Sequence, residues 1–170
     1  LSLFGSKVVL PSSGILMNNG IMWFDPTPGH PNSIAPAKQP LSNMCPTIVK
    51  QQNGCRVGLG ASGGRRIMPA VLQLISFVVD FSMDPETAIH QPRIDVNGSE
   101  EVSFDARLTS KVAEELSRHL DNLTPKTHGV FPNLFSCPGI VQHHLQSGVC
   151  TGASFPHSPL AAAIAEMPID

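Results

Sequence analysis

Between Ser12 and Cys45 the chain carries Pro26, Pro28, Pro31, Pro36 and Pro40 among glycine, asparagine and serine residues, and no other stretch restricts its fold as much. Each proline fixes φ and removes an amide donor, so neither a continuous helix nor a central strand can run through it. The segment is expected to be an ordered loop region. Loops of this length inside a compact domain are uncommon unless they line a site.

Regular structure is expected downstream. Thr47 to Lys50 and Arg56 to Leu59 flank Asn53-Gly54, a pair that supplies the positive φ angles of a type I′ hairpin turn. The chain then passes through Gly60-Ala61-Ser62-Gly63-Gly64-Arg65-Arg66 into the apolar run Met68 to Phe81, where Pro69 fits the first turn of a buried helix. A second helix should start with Asp84 as N-cap and Pro85 at its first position, and end before Pro92. Ile94 to Val96 and Val102 to Phe104 are short strand candidates around Asn97-Gly98. Thr109 or Ser110 should cap a third helix with an apolar stripe of Val112, Leu116 and Leu120. Ile140 to His143 and Val149 to Ser154 form one more hairpin candidate. Strands, helices and strands in that order point to an α+β layered sandwich rather than alternating βαβ units.

The chain has 170 residues, 41% of them apolar and 14% charged, with a formal net charge of -2. That length suits a single domain over residues 1–170. Without a block of lysine or arginine there is no electrostatic footprint for nucleic acid or an anionic membrane. The most apolar run, Ile67 to Phe81, contains Pro69, Gln73 and Ser76 and is too short to span a bilayer as a helix. Cys45, Cys55, Cys137 and Cys150 lack C-x-x-C spacing and are expected to be free core thiols. Seven histidines are present, but His143 and His144 are adjacent on a strand candidate and would face opposite ways. No metal or other cofactor is expected.

Gly58-Leu59-Gly60-Ala61-Ser62-Gly63 formally matches the dinucleotide fingerprint, with Asp80 near the place of a ribose-binding acid. However, the preceding strand is a hairpin arm, and Pro69 lies inside what would be the phosphate-binding helix. The same glycines at a helix start can instead expose consecutive backbone N–H groups to an oxygen that gains negative charge, or form a simple tight turn. Arg65-Arg66 could clamp a carboxylate, with ion pairing to acids elsewhere the expected role. Ser42 and Asn43, closing the proline-rich stretch, could hold a substrate or satisfy a turn.

Three stretches occur together: Ser13-Gly14-Ile15-Leu16-Met17-Asn18-Asn19, Pro40-Leu41-Ser42-Asn43-Met44-Cys45-Pro46-Thr47-Ile48 and Gly60-Ala61-Ser62-Gly63-Gly64-Arg65-Arg66-Ile67. In that order and spacing the chain resembles the small subunit of the gamma-glutamyltransferase family, clearly from Leu1 to Arg93 and weakly beyond. The resemblance implies an N-terminal-nucleophile hydrolase fold, an αββα sandwich made from a precursor that cleaves itself into two subunits. It implies the N-terminal large subunit of the same precursor as partner. It also implies a threonine nucleophile whose own α-amine is the base, attacking a gamma-glutamyl or related acyl amide. Carried over by position, Gly63 and Gly64 match the oxyanion-hole pair and Ser42 a residue that binds the substrate α-carboxylate. Asn43 stands where the family usually has a second serine.

By the same resemblance the nucleophile falls upstream of Leu1, so none of Thr27, Thr47, Thr87, Thr109, Thr124, Thr127 or Thr151 takes that part. Trp23 stands where transferases of the family carry an aspartate that pairs with the substrate α-ammonium, and Gly20 and Leu1 replace other polar contacts. A buried ammonium without its carboxylate is costly. The expected substrate is therefore a related amide, such as the glutaryl amides taken by cephalosporin-acylase-like members, with hydrolysis favoured over transfer; the alternative is a catalytically inactive structural subunit that packs against its partner. The short connection from Asp25 to Lys38 implies an open site without a lid loop. Residues 1–170 alone are expected to fold poorly, because the large subunit would cover much of their apolar surface. A cooperative melt without dye-binding apolar patches would contradict this.

Overall fold

The computed structural model of the chain describes residues 5–96, 98, 100–129, 134–157 and 161–164. It divides into two compact units, one ending at Ser42 and the other starting at Asn43.

In the first unit, side chains do the work that ladders do elsewhere. Val9 bridges Leu16 in an antiparallel turn, and a 3-10 turn spans Gly20–Trp23. Beyond it, Asn32 donates through Nδ2 to the Trp23 carbonyl at 2.7 Å and accepts from the Leu41 amide at 2.9 Å. His30 Nδ1 lies 2.7 Å from Asp25 Oδ2, and Lys38 Nζ donates to the carbonyls of Pro31 and Ser33. The proline-rich stretch is thus ordered, as expected, by local side-chain-to-backbone bonds.

The second unit is built on a four-stranded sheet of order β1-β2-β6-β7. Its strands are β1 (Thr47–Lys50), β2 (Cys55–Ser62), β6 (Cys137–His144) and β7 (Cys150–Ser154), all antiparallel to their neighbours. Both expected hairpins form. The first does not turn on a type I′ pair: Gly54 N–H donates to Gln51 O at 3.2 Å, and only Gly54 of the pair is left-handed, at φ 80°. Asn53 uses its Oδ1 to accept from Cys55 N–H at 3.0 Å. Spreading the loop over four residues places glycine where the positive φ falls.

Helix α1 (Ile67–Val79) lays Ile67, Val71, Leu74 and Val78 on the sheet face made by Val57, Leu59, Ile140 and Ala153. Burying each large aliphatic side chain is worth about 2 kcal/mol. Helix α2 (Pro85–His90) adds Ala88 and Ile89 to this core. Asp84 caps it as expected, accepting from Thr87 N–H at 3.0 Å and from Thr87 Oγ1 at 2.6 Å. The opposite sheet face is open, with Ile48 75% and Val141 60% exposed beside a groove of about 1010 Å³.

A second sheet has order β3-β4-β5, from β3 (Ile94–Asp95), β4 (Val102–Asp105) and β5 (Leu123–Lys126). Asn97, expected in the β3–β4 turn, lies outside the described residues. Strands β4 and β5 are parallel and joined through α3 (Ser110–Ser117), a short βαβ crossover that the sequence reading did not expect. Strand β5 contains Pro125, tolerated because β5 is an edge. The expected stripe of α3 is not a core face: no residue of the helix is buried, and Leu120 lies beyond its end. Thr109 occupies the N-cap position without a side-chain bond. Among the described cysteines, Cys55 is a buried free thiol, but Cys150 is exposed, so the core-thiol expectation fails there.

The β4 end is tied down by a buried histidine. His128 Nε2 lies 3.1 Å from Asp105 Oδ2, and its ring stacks on His157 at 4.3 Å and meets the edge of Phe135. Burial alone would raise the Asp105 carboxyl, but hydrogen bonds and charge from Arg107 outweigh this and hold it below its ordinary value. The carboxylate is therefore charged and Nε2 of neutral His128 donates to it. Burial pushes His128 below its ordinary value of 6.5, with Asp105 opposing only in part. The folded state then binds fewer protons here than the unfolded state, so stability is full above the ordinary imidazole value and falls as pH drops through it. Thermal melts of the protein expressed from its complete reading frame, from about pH 7 to about pH 5, should show a falling Tm, and His128→Gln should flatten that decline. A wild-type Tm constant across this window would contradict the assignment.

Candidate active site

The sequence-flagged glycines sit at the exit of β2. Ser62 ends the strand, Gly63 turns the chain, and Gly64–Arg66 forms one 3-10 turn that leads into α1. Gly63 has φ 143° and Gly64 φ 64°, both in the region that favours glycine. A Cβ on Gly63 would stand 2.8 Å from Ser136 Oγ and 2.9 Å from Ser136 Cα. A Cβ on Gly64 would meet only Asn43 Nδ2, at 3.9 Å. Gly63 is therefore required by both space and backbone angle, Gly64 by angle alone.

Both glycines are exposed, at the N-terminal end of a 13-residue helix. Consecutive main-chain amides before a helix, with no side chain over them, can receive an oxygen as it acquires negative charge. The Asn43 side-chain amide lies next to Gly64 and could donate to the same oxygen or to another group of a bound ligand. Asn43, Gly63 and Gly64 are thus brought together within the second unit. Ser42 is exposed and closes the first unit, one residue after Leu41, whose amide is fixed by Asn32.

Other sequence candidates take structural parts. Arg66 Nε lies 3.2 Å from Asp95 Oδ2, and the Asp95 side chain is buried, so Arg66 takes the expected ion-pair role. Arg65 is exposed beside it. Gly58 and Gly60, the first glycines of the dinucleotide fingerprint, lie inside β2, paired with Val141 and Gly139. They form no phosphate loop. Among the described residues no cluster of three or more His, Cys, Asp or Glu side chains is placed to hold a metal ion.

Two supporting residues escaped the sequence reading. Gln73 accepts from Ile94 N–H and donates to Ile94 O, both at 2.8 Å, stitching α1 to β3. Ser136 is fully buried, left-handed at φ 66°, and donates from Oγ to the Ser62 carbonyl at 2.5 Å. Neither has a local sequence signal, since each acts on a segment distant in the chain.

Residues 2–137 match the family model described as Gamma-glutamyltranspeptidase. The chain belongs to the gamma-glutamyltranspeptidase family. It is 32% identical over 115 residues to the glutathione hydrolase proenzyme of Bacillus subtilis, a match covering 68% of this chain and 20% of that protein. Over 96 residues it is 36% identical to the acylase ACY 1 proenzyme of a Pseudomonas species, covering 56% of this chain and 17% of that one. The chain thus spans about a fifth of the length of these curated relatives. The crystal structure of Helicobacter pylori gamma-glutamyltranspeptidase superposes with a TM-score of 0.75 at 27% identity, covering 92% of this chain and 89% of that one. The mixed α and β fold is that of the family's N-terminal-nucleophile hydrolases, and the match continues well past Arg93, where the sequence resemblance weakens.

The glycine pair gives a graded prediction. Gly63→Ala should cost about 3 kcal/mol of stability, combining left-handed strain with overlap against Ser136. Gly64→Ala should cost only about 1 kcal/mol, from backbone angle alone. Denaturant unfolding of both variants checks the order, and equal losses would contradict it.

Proposed function

We propose that the chain is the small-subunit part of a self-processing amidohydrolase that cleaves gamma-glutamyl or related glutaryl-type acyl amides. The observation that carries this reading is the Gly63–Gly64 turn, with its positive φ angles at the head of α1 and Asn43 alongside, in a member of the gamma-glutamyltranspeptidase family. Glutathione hydrolase and acylase proenzymes among its relatives support the same chemistry.

In this reading the threonine freed by processing attacks the amide carbonyl, its α-amine taking the hydroxyl proton. The carbonyl oxygen becomes anionic and is received by the amides of Gly63 and Gly64. The C–N bond then breaks, the protonated α-amine gives its proton to the departing amine, and an acyl-threonine ester remains. Water hydrolyses that ester. Ser42 would bind the substrate α-carboxylate, and Asn43 would provide a polar contact at the place of the family's second serine. The partner in this reading is the large subunit of the same precursor. Its cover is consistent with the exposed Met68 and Leu72 on the outer face of α1, and with Ile48 and Val141 on the open sheet face.

Trp23 supports acyl groups without an α-ammonium, because an indole carries no negative charge and offsets a desolvated ammonium less than the carboxylate it replaces. Its carbonyl, rather than its ring, accepts the bond from Asn32, so replacing the side chain keeps the turn.

The test is intact mass and N-terminal sequencing of the product of the complete reading frame, followed by hydrolysis of a glutaryl and a gamma-glutamyl amide. A processed chain beginning with threonine and active on the glutaryl amide is the expected result. An uncleaved precursor, or a cleaved one inert on both amides, would instead favour a non-catalytic subunit. In the active protein, Trp23→Asp should raise kcat/KM on the gamma-glutamyl amide by about tenfold to a hundredfold, the worth of one charge-assisted bond. The glutaryl amide, which has no ammonium, should not gain. An equal gain on both substrates would contradict the ammonium argument.

A further inference from the structure

Ser136 lies outside the three stretches that carry the family resemblance, yet the three atoms nearest to a Cβ on Gly63 all belong to it. Its hydroxyl donates to the Ser62 carbonyl at 2.5 Å, and its Oγ, Cα and Cβ all lie within 3.0 Å of where a Gly63 Cβ would be. It is fully buried and holds a left-handed φ of 66°, a conformation that costs a serine about 1–2 kcal/mol. A buried hydroxyl in a strained backbone, committed to a single carbonyl at a strand end, calls for a local reason.

The peptide plane provides that reason. The Ser62 carbonyl and the Gly63 N–H belong to the same peptide, which is trans. In a trans peptide these two groups point in opposite directions. Drawing the carbonyl inward onto Ser136 turns the Gly63 N–H outward, to the exposed side of the turn. Without the hydroxyl, this plane would be held on one side only, because the β2–β6 ladder stops at Ser62 and Cys137. Gly63, with no Cβ, could then rotate freely about its flanking bonds.

We propose that Ser136 is a positioning residue: by holding the Ser62 carbonyl it aims the Gly63 amide at the oxygen that becomes negative during amide cleavage. The inference rests on the amidohydrolase reading above. Ser136 does not touch substrate; it acts through the Ser62–Gly63 peptide. Its effect should therefore appear in the chemical step rather than in binding.

The test compares wild type, Ser136→Gly and Ser136→Ala in the protein expressed from its complete reading frame. Glycine removes the hydroxyl while relieving the left-handed angle, so the fold should survive; alanine removes it and keeps the angle. Both variants should lose about tenfold to a hundredfold in kcat on the preferred amide, with KM within about twofold, less than deletion of an oxyanion donor outright. The Gly63 amide signal of glycine-labelled protein should shift in both, with Tm nearly unchanged in Ser136→Gly. Unshifted glycine signals overturn the inference whatever the kinetics, and shifted signals with unchanged kcat overturn it as well. A wild-type protein inert on every amide sinks the hydrolase reading separately, and the glycine signals still decide whether Ser136 orients the turn.

Discussion

The antiparallel pairing of β2 with β6, from Cys55↔His144 to Ser62↔Cys137, is the constraint from which the rest of the second unit follows. It forms the centre of the main sheet, and because side chains alternate across a strand, its register decides which of them meet α1. With Leu59 opposite Ile140, both turn to the helix and are buried, while Val141 turns to the open face. Slipping the register by one residue would exchange those faces. The same register brings Ser136, the residue before β6, against Gly63, the residue after β2. Core packing and the geometry of the glycine turn are therefore consequences of one alignment.

Much of this could be read from the sequence wherever the cause is local. The arms of both hairpins, the Asp84 cap with Pro85 behind it, and the strand–glycine–helix passage through Gly63-Gly64 all follow from residues within one turn of the features they determine. The details that differ arise where several local solutions compete. Asn53-Gly54 satisfies a two-residue turn on paper, but the four-residue loop lets Asn53 cap Cys55 N–H and leaves Gly54 the only left-handed residue of the pair. Strand β5 was hidden by Pro125, which argues against a strand until its edge position is known. The stripe on α3 has helical spacing, yet no residue of the helix is buried among the described residues.

The candidate site divides along the same line. Asn43, Gly63 and Gly64 stand out as motif residues because they are clustered in short, unusual stretches. Ser136 is separated from Ser62 by 74 positions and sits in a segment without distinctive composition. Only the fold shows that it matters. Arg66 illustrates the converse: an arginine beside a glycine turn suggests anion binding, yet its pairing with buried Asp95 gives it a structural use. Sequence identifies which groups are available for chemistry, and packing decides which of them are already occupied.

The glycine turn owes its shape to contacts inside the second unit. Ser62 is held by Ser136, the β2–β6 ladder stops where the turn begins at Gly63, and α1 starts four residues later with Ile67 already buried. Met68 and Leu72 on the outer side of α1 take no part in holding it and remain exposed. If catalysis by the proposed route relies on amides that need not move as charge develops, then rigidity has to come from this inner side. The outer apolar faces are free to serve association instead. A partner laid over them would add stability and exclude water without having to create the turn, which the sheet register and one buried hydroxyl already define.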